Sequence, residues 1–270
     1  MRRLLPPVAA AIALLAFATT ASAHDLFFRL RSYFVPTNAR VVVRVLNGTF
    51  VKSEGSVARN RLREITLAAG GTTRRLDSTS WSESSRMAST LAFQTGESGT
   101  YVIGASVKPR LIELAAKEFN EYLEHDGLPD VLAVRRKSGE LRKPAKERYH
   151  KHIKAILQVG DVRSADFGAV FGFPAELIPL ANPYAARVGQ TIGFRCLVDG
   201  APVARQYVIA GSDNGSGKLA ERGFRSDSAG VVRVPITRRG KWYVKFIRMD
   251  PVRDSVDYES KWASLTFEIR

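Results

Sequence analysis

Ala21-Ser22-Ala23 stands immediately before His24. The triplet is an A-x-A cleavage signal of the kind that ends a secretory leader. A cut after Ala23 makes His24 the first residue of the mature chain. Its free amine and ring nitrogen then form a bidentate chelate on one residue. Amine and imidazole suit Cu, Ni and Zn among the first-row ions. Two nitrogens that are already linked need only one or two further ligands. Asp25 is the nearest oxygen donor in the sequence, and its ordinary alternative is a turn or cap. Metal and protons compete for both nitrogens, so affinity falls as the pH drops from about 7 toward 5.

The other histidines are His125, His150 and His152. In a strand, His150 and His152 share a face. In a helix they point roughly 200° apart. Their ordinary reading is decoration of a basic surface. G-x-S-x-G, H-E-x-x-H and Walker signatures do not occur in the chain. Gly211 to Gly217 is glycine-rich, but Lys218-Leu219 follow it, so it reads as a hairpin loop. The single cysteine, Cys196, excludes an internal disulfide and any multi-cysteine metal knuckle. It shares a strand face with Phe194 and reads as a small buried hydrophobe.

The address follows from the first residues. Arg2 and Arg3 make a positive start, and Leu4 to Phe17 is apolar apart from Pro6 and Pro7. That run is short of the roughly 20 residues that span a bilayer. Residues 1–23 are therefore expected to be a cleaved signal peptide, leaving a periplasmic or secreted protein with no transmembrane segment. The chain carries 41 Lys+Arg against 26 Asp+Glu, a net charge of +15, and cleavage lowers it by two. An exported address argues against a nucleic-acid partner. Surplus positive charge favours an anionic envelope surface, its ordinary alternative being plain solubility.

Short β-rich runs between turn residues must position these groups. Ala39–Leu46, Leu62–Ala68, Thr72–Leu76, Ser89–Gln94 and Gly99–Val107 read as strands, with Leu26–Phe34 before them. After Pro109 the period changes. Leu111, Leu114, Ala115, Phe119, Tyr122 and Leu123 fall at helical spacing, and Pro129 opens a second helix. Arg135 to Lys154 is the densest basic stretch, with nine Lys/Arg and two Glu, and it reads as a solvated face. Lys143 to Val159 fits both periods; helix to about 150 and strand beyond satisfies both. Strand patterning returns from Ala175 to the end. The expected fold is mainly β, with two tandem antiparallel sandwiches of Ig-like or transthyretin-like type. The first covers 24–172 with a basic helical insertion at about 110–150, and the second covers 173–270. Val41, Val43, Val45, Ile192, Phe194, Cys196, Val244 and Phe246 are the expected core.

Two stretches and the closing segment carry a resemblance. They are Ala23-His24-Asp25-Leu26-Phe27-Phe28, the run Phe173 to Tyr184, and Tyr258 to Phe267. Together they resemble the bacterial secreted family catalogued as domain of unknown function 4198, described in places as a periplasmic nickel/cobalt-uptake component. The resemblance covers the mature chain. It implies Ni or Co beside Cu as the ion, and a membrane transport component as partner. It supports His24 and not His150 or His152. Asp199 to Val203, Ser226 to Gly230 and Gly240 to Val244 are similar to a transthyretin-like or carboxypeptidase-regulatory-like sandwich.

Three functions follow as expectations. The first is a non-catalytic envelope protein that binds a metal through His24. The second is an adaptor sandwich that grips a partner without metal. The third is a copper oxidase built on an N-terminal histidine brace, which needs a second histidine close to His24.

Overall fold

The computed structural model describes residues 24–213 and 215–270. The signal-peptide expectation, and the cut after Ala23, lie outside the described residues. Ten strands come first: β1 (Asp25–Arg29), β2 (Phe34–Val35), β3 (Arg40–Gly48), β4 (Ser53–Gly55), β5 (Leu62–Ala69), β6 (Thr72–Leu76), β7 (Trp81–Ser85), β8 (Ala88–Gln94), β9 (Gly99–Val107) and β10 (Arg110–Leu114). Two helices follow, α1 (Ala116–His125) and α2 (Pro129–Lys137). Nine strands complete the chain: β11 (Ala145–Val159), β12 (Ala175–Pro179), β13 (Thr191–Val198), β14 (Ala201–Pro202), β15 (Tyr207–Asp213), β16 (Leu219–Arg225), β17 (Val231–Pro235), β18 (Gly240–Pro251) and β19 (Tyr258–Ile269).

These strands form three sheets. A ten-stranded sheet runs β16-β15-β18-β19-β11-β9-β5-β6, with β2 and β10 attached to β11. A five-stranded sheet holds β1, β3, β4, β7 and β8. A four-stranded sheet holds β12, β13, β14 and β17. The fold is mainly β and mainly antiparallel, as expected. The two small sheets share one continuous hydrophobic core with the large one. A division near residue 173 separates the small sheets and leaves the large one common to both halves. Its centre is the parallel pair β11–β19, running from Glu147↔Tyr258 to Ala155↔Thr266.

Local sequence explains the layers. In β3, Val41, Val43 and Val45 are buried while Arg40, Val42 and Arg44 face solvent, the alternation of a half-buried strand. β9 and the second half of β11 are buried on both faces, which suits central strands. Every expected core residue is buried, from Val41 at 5% exposure to Phe194 and Cys196 at 0%. Burial pushes the Cys196 thiol up to about 12, so it stays protonated.

The structure corrects the helical excursion. Arg110–Leu114 and Ala145 to His150 are strand, and they pair as a hairpin from Arg110↔Tyr149 to Leu114↔Ala145. The two helices are inserted at its tip. Leu111 and Leu114 fall at helical spacing, whereas Ala145 and Tyr149, four apart, satisfy either period; the pairing partner decides. The basic stretch is likewise not simply solvated: Arg135, Lys151 and Lys154 are buried. Arg135 joins α2 to the turn that follows, donating to the carbonyls of Glu140 (2.8 Å) and Lys143 (2.7 Å). Phe119 and Tyr122 of α1 stack on Tyr258 and Trp262, with ring centroids 5.3 and 5.9 Å apart. Among the described residues no helix is long and apolar enough to cross a membrane.

Gly211 faces the Tyr243 ring across β15 and β18. An added Cβ there would stand 2.3–2.4 Å from the Tyr243 ring and hydroxyl atoms. Gly211→Ala is therefore expected to cost about 1–3 kcal/mol by forcing the ring aside. Urea unfolding at constant m-value checks this; an unchanged midpoint would mean that the ring moves freely.

Candidate functional site

β1 carries the site, and it is moored along its length. The buried Lys151 ammonium donates to the His24 carbonyl. Ser264 Oγ donates to the Leu26 carbonyl at 2.7 Å, and Arg29 pairs with Asp213 at 2.5 Å. Phe27 packs in an aromatic cluster with Phe50 and Tyr243, with centroids 4.8–5.4 Å apart. His24 is thus held directly before a firmly anchored strand.

His24 Nδ1 lies 3.1 Å from Glu54 Oε2, with side chains 31% and 37% exposed. Glu54 reaches this position because β4 folds back on the end of β3 at Gly48. A Cβ at Gly48 would stand 2.5 Å from the Lys52 carbonyl and 3.2 Å from Glu54 Cγ, so the close approach requires glycine. Sequence reading missed Glu54. It sits in a three-residue strand of unremarkable composition, 30 residues from its partner.

Asp25 is committed elsewhere. It pairs with Lys245, and Asp126 Oδ1 lies 3.5 Å from the same ammonium. Burial pulls the Lys245 ammonium down, but Asp25 and Asp126 outweigh it and leave it raised. Burial lifts the Asp126 carboxyl to about 6 against the pull of Lys245. Lys151 lies nearby over the Trp262 ring, 4.5 Å from the centroid, and burial lowers it to about 8. Asp25 thus faces Lys245, and Glu54 is the carboxylate beside the His24 ring.

His150 and His152 do lie in a strand and share a face, with ring centroids 6.4 Å apart. That face is opposite the one on which Lys151 meets His24, because successive side chains alternate. His150 Nε2 meets Glu259 Oε1 at 3.0 Å, and His152 Nδ1 meets Ser106 Oγ at 2.9 Å. Their other ring nitrogens are buried without a partner. Burial lowers His150 and takes His152 to about 3. His24 is therefore not joined by His150 or His152. Among the described residues no three His, Cys, Asp or Glu side chains gather as a metal site.

Glu147, fully buried on β11, accepts from Tyr122 Oη at 3.1 Å and from Ser260 Oγ. Burial raises its carboxyl to about 7, while the unfolded chain releases that proton near 4.5. The folded state therefore holds more protons between those values. Stability from this group is complete below about pH 4.5 and is lost as the pH rises through about 7, on the order of 3 kcal/mol. Glu147→Gln is expected to remove that decline. Urea midpoints of both proteins at pH 5 and pH 7.5 check it, and the opposite slope from His152 cancels in the difference. Parallel pH profiles would contradict the assignment.

Residues 21–250 match the family described as a domain of unknown function, DUF4198. The chain belongs to the DUF4198 family. No curated protein matches it. Two solved structures are similar at low identity. The D0-D1 domain of intimin is 12% identical, covering 90% of this chain and 97% of that one, with a TM-score of 0.21. A tetra-tandem repeat in the extending region of a large adhesion protein is 11% identical, covering 92% of this chain and 50% of that one, with a TM-score of 0.22. Scores this low carry no argument for this DUF4198 protein. Its β-sandwich architecture stands on its own sheets, and its function has to come from its own residues.

Proposed function

We propose that this DUF4198 protein is an exported, non-catalytic binding protein that holds a divalent transition-metal ion at its processed N-terminus. The observation that carries the reading is the His24–Glu54 contact. Two ligands at right angles on an ion with bonds of about 2.0–2.1 Å stand roughly 3 Å apart. His24 Nδ1 and Glu54 Oε2 stand 3.1 Å apart. The amine released by cleavage after Ala23 adds the third donor on the same residue. Two nitrogens and one carboxylate oxygen suit Cu, Ni, Co or Zn. The Lys151 ammonium fixes the His24 carbonyl.

The ion would be cargo, for delivery to a membrane transport component or for retention at an anionic envelope surface. A histidine-brace oxidase needs a second histidine beside His24. His150 and His152 lie on the other face of β11, so neither supplies it.

Calorimetric titration of Cu(II) and Ni(II) into protein beginning at His24 tests the proposal. At least one ion is expected to bind with a Kd tighter than about 0.1 mM, roughly 5.5 kcal/mol. Glu54→Gln is expected to weaken binding about tenfold. If no ion binds that tightly, the adaptor that grips a partner without metal becomes the better account.

A further inference from the structure

A cavity of about 360 Å³ opens beside β1, between the segment 56–61 and the β10–β11 hairpin. That volume suits a small organic ligand. Three cations line it, Arg61, Arg110 and Lys151, and no carboxylate does. The nearby acids are paired elsewhere: Asp25 with Lys245, Glu113 with Lys146, and Asp254 and Glu259 with Arg148. The carboxylates that Lys151 does feel, Asp25, Asp126 and Glu147, lie outside the lining.

Arg61 bears the cost of this arrangement. Its Nη2 donates to the Lys108 carbonyl at 3.1 Å, while its Nε is buried without a hydrogen-bond partner. Burial, and then the charge of Arg110, depress its guanidinium. A buried unpaired donor beside a like charge is unfavourable unless an anion completes it. Asn47, Asn60 and Tyr149 bring neutral polar groups to the same space, and Leu26, Val57 and Val107 give it an apolar wall.

We infer that this cavity binds a small organic polycarboxylate, with Arg61 and Arg110 as guanidinium forks and Lys151 as a point charge. Planar guanidinium forks match carboxylates two bonds at a time. The apolar wall gives a carbon skeleton something to cover, which inorganic phosphate lacks. The inference does not depend on a metal at His24.

Citrate is the probe, titrated by calorimetry into metal-free, full-length processed protein at low salt. The expected Kd is below about 0.1 mM. Arg110→Gln and Arg61→Gln are each expected to weaken it about tenfold, in line with loss of one charge-assisted fork. Arg110 is exposed, so its replacement leaves the core intact and keeps the test valid even if Arg61→Gln unfolds. His24→Ala should leave citrate binding unchanged while removing metal binding, so the two proposals fail separately. The inference is overturned if citrate does not bind at 1 mM or binds Arg110→Gln equally well. It is also overturned if phosphate binds as tightly as citrate, or if His24→Ala abolishes citrate binding.

Discussion

Replacing Lys245 with methionine is expected to destabilise the protein by about 3–5 kcal/mol, the usual cost of removing one partner from a buried ion cluster. Lys245 is 6% exposed and sits between Asp25 and Asp126. Without its ammonium, two carboxylates face each other in a desolvated site. They join β1, the end of α1 and β18, so the loss is shared by three elements. Lys245→Met combined with Asp25→Asn and Asp126→Asn should recover most of the loss, because no unpaired charge remains. Urea unfolding at pH 7 measures both. A single-variant loss below about 1 kcal/mol would show that water already reaches the cluster and screens it.

The β content and the core were legible because they rest on local period. Val41, Val43 and Val45 alternate with residues that face solvent, and Phe194 and Cys196 do the same on β13. The hairpin β10–β11 was not legible, since Leu111 and Leu114 fall at helical spacing and Ala145 and Tyr149 fit a helix as well as a strand. The parallel pairing of β11 with β19 leaves no local trace, joining residues more than 100 positions apart.

The site divides in the same way. His24 could be found because the triplet Ala21-Ser22-Ala23 stands just before it. Glu54 could not, because only the return of β4 onto β3 brings it there. The cluster of Asp25, Asp126, Lys151 and Lys245 draws on four distant elements, and a charge run in sequence does not reveal which of its members turn inward. Arg135, Lys151 and Lys154 are buried within a stretch most of whose other cations face water. Asp25 looked like the natural oxygen ligand because it is adjacent, yet adjacency on a strand places it on the other face from His24.

The second large effect concerns the ion itself. His24→Ala removes the ring, and a form extended by Thr20-Ala21-Ser22-Ala23 displaces the amine. Each is expected to weaken Cu(II) binding at least about 100-fold, or roughly 2.7 kcal/mol. The two losses share one chelate, so the double change should cost little more than either alone. Additive losses would mean that ring and amine serve different sites.

Pulsed electron spin resonance of the protein beginning at His24, loaded with one equivalent of Cu(II), reads the coordinated nitrogens directly. The account predicts the modulation of a single imidazole, absent in His24→Ala and altered in the form extended by Thr20-Ala21-Ser22-Ala23. Modulation from two or more imidazoles, or a spectrum indifferent to either change, would contradict a metal site at His24.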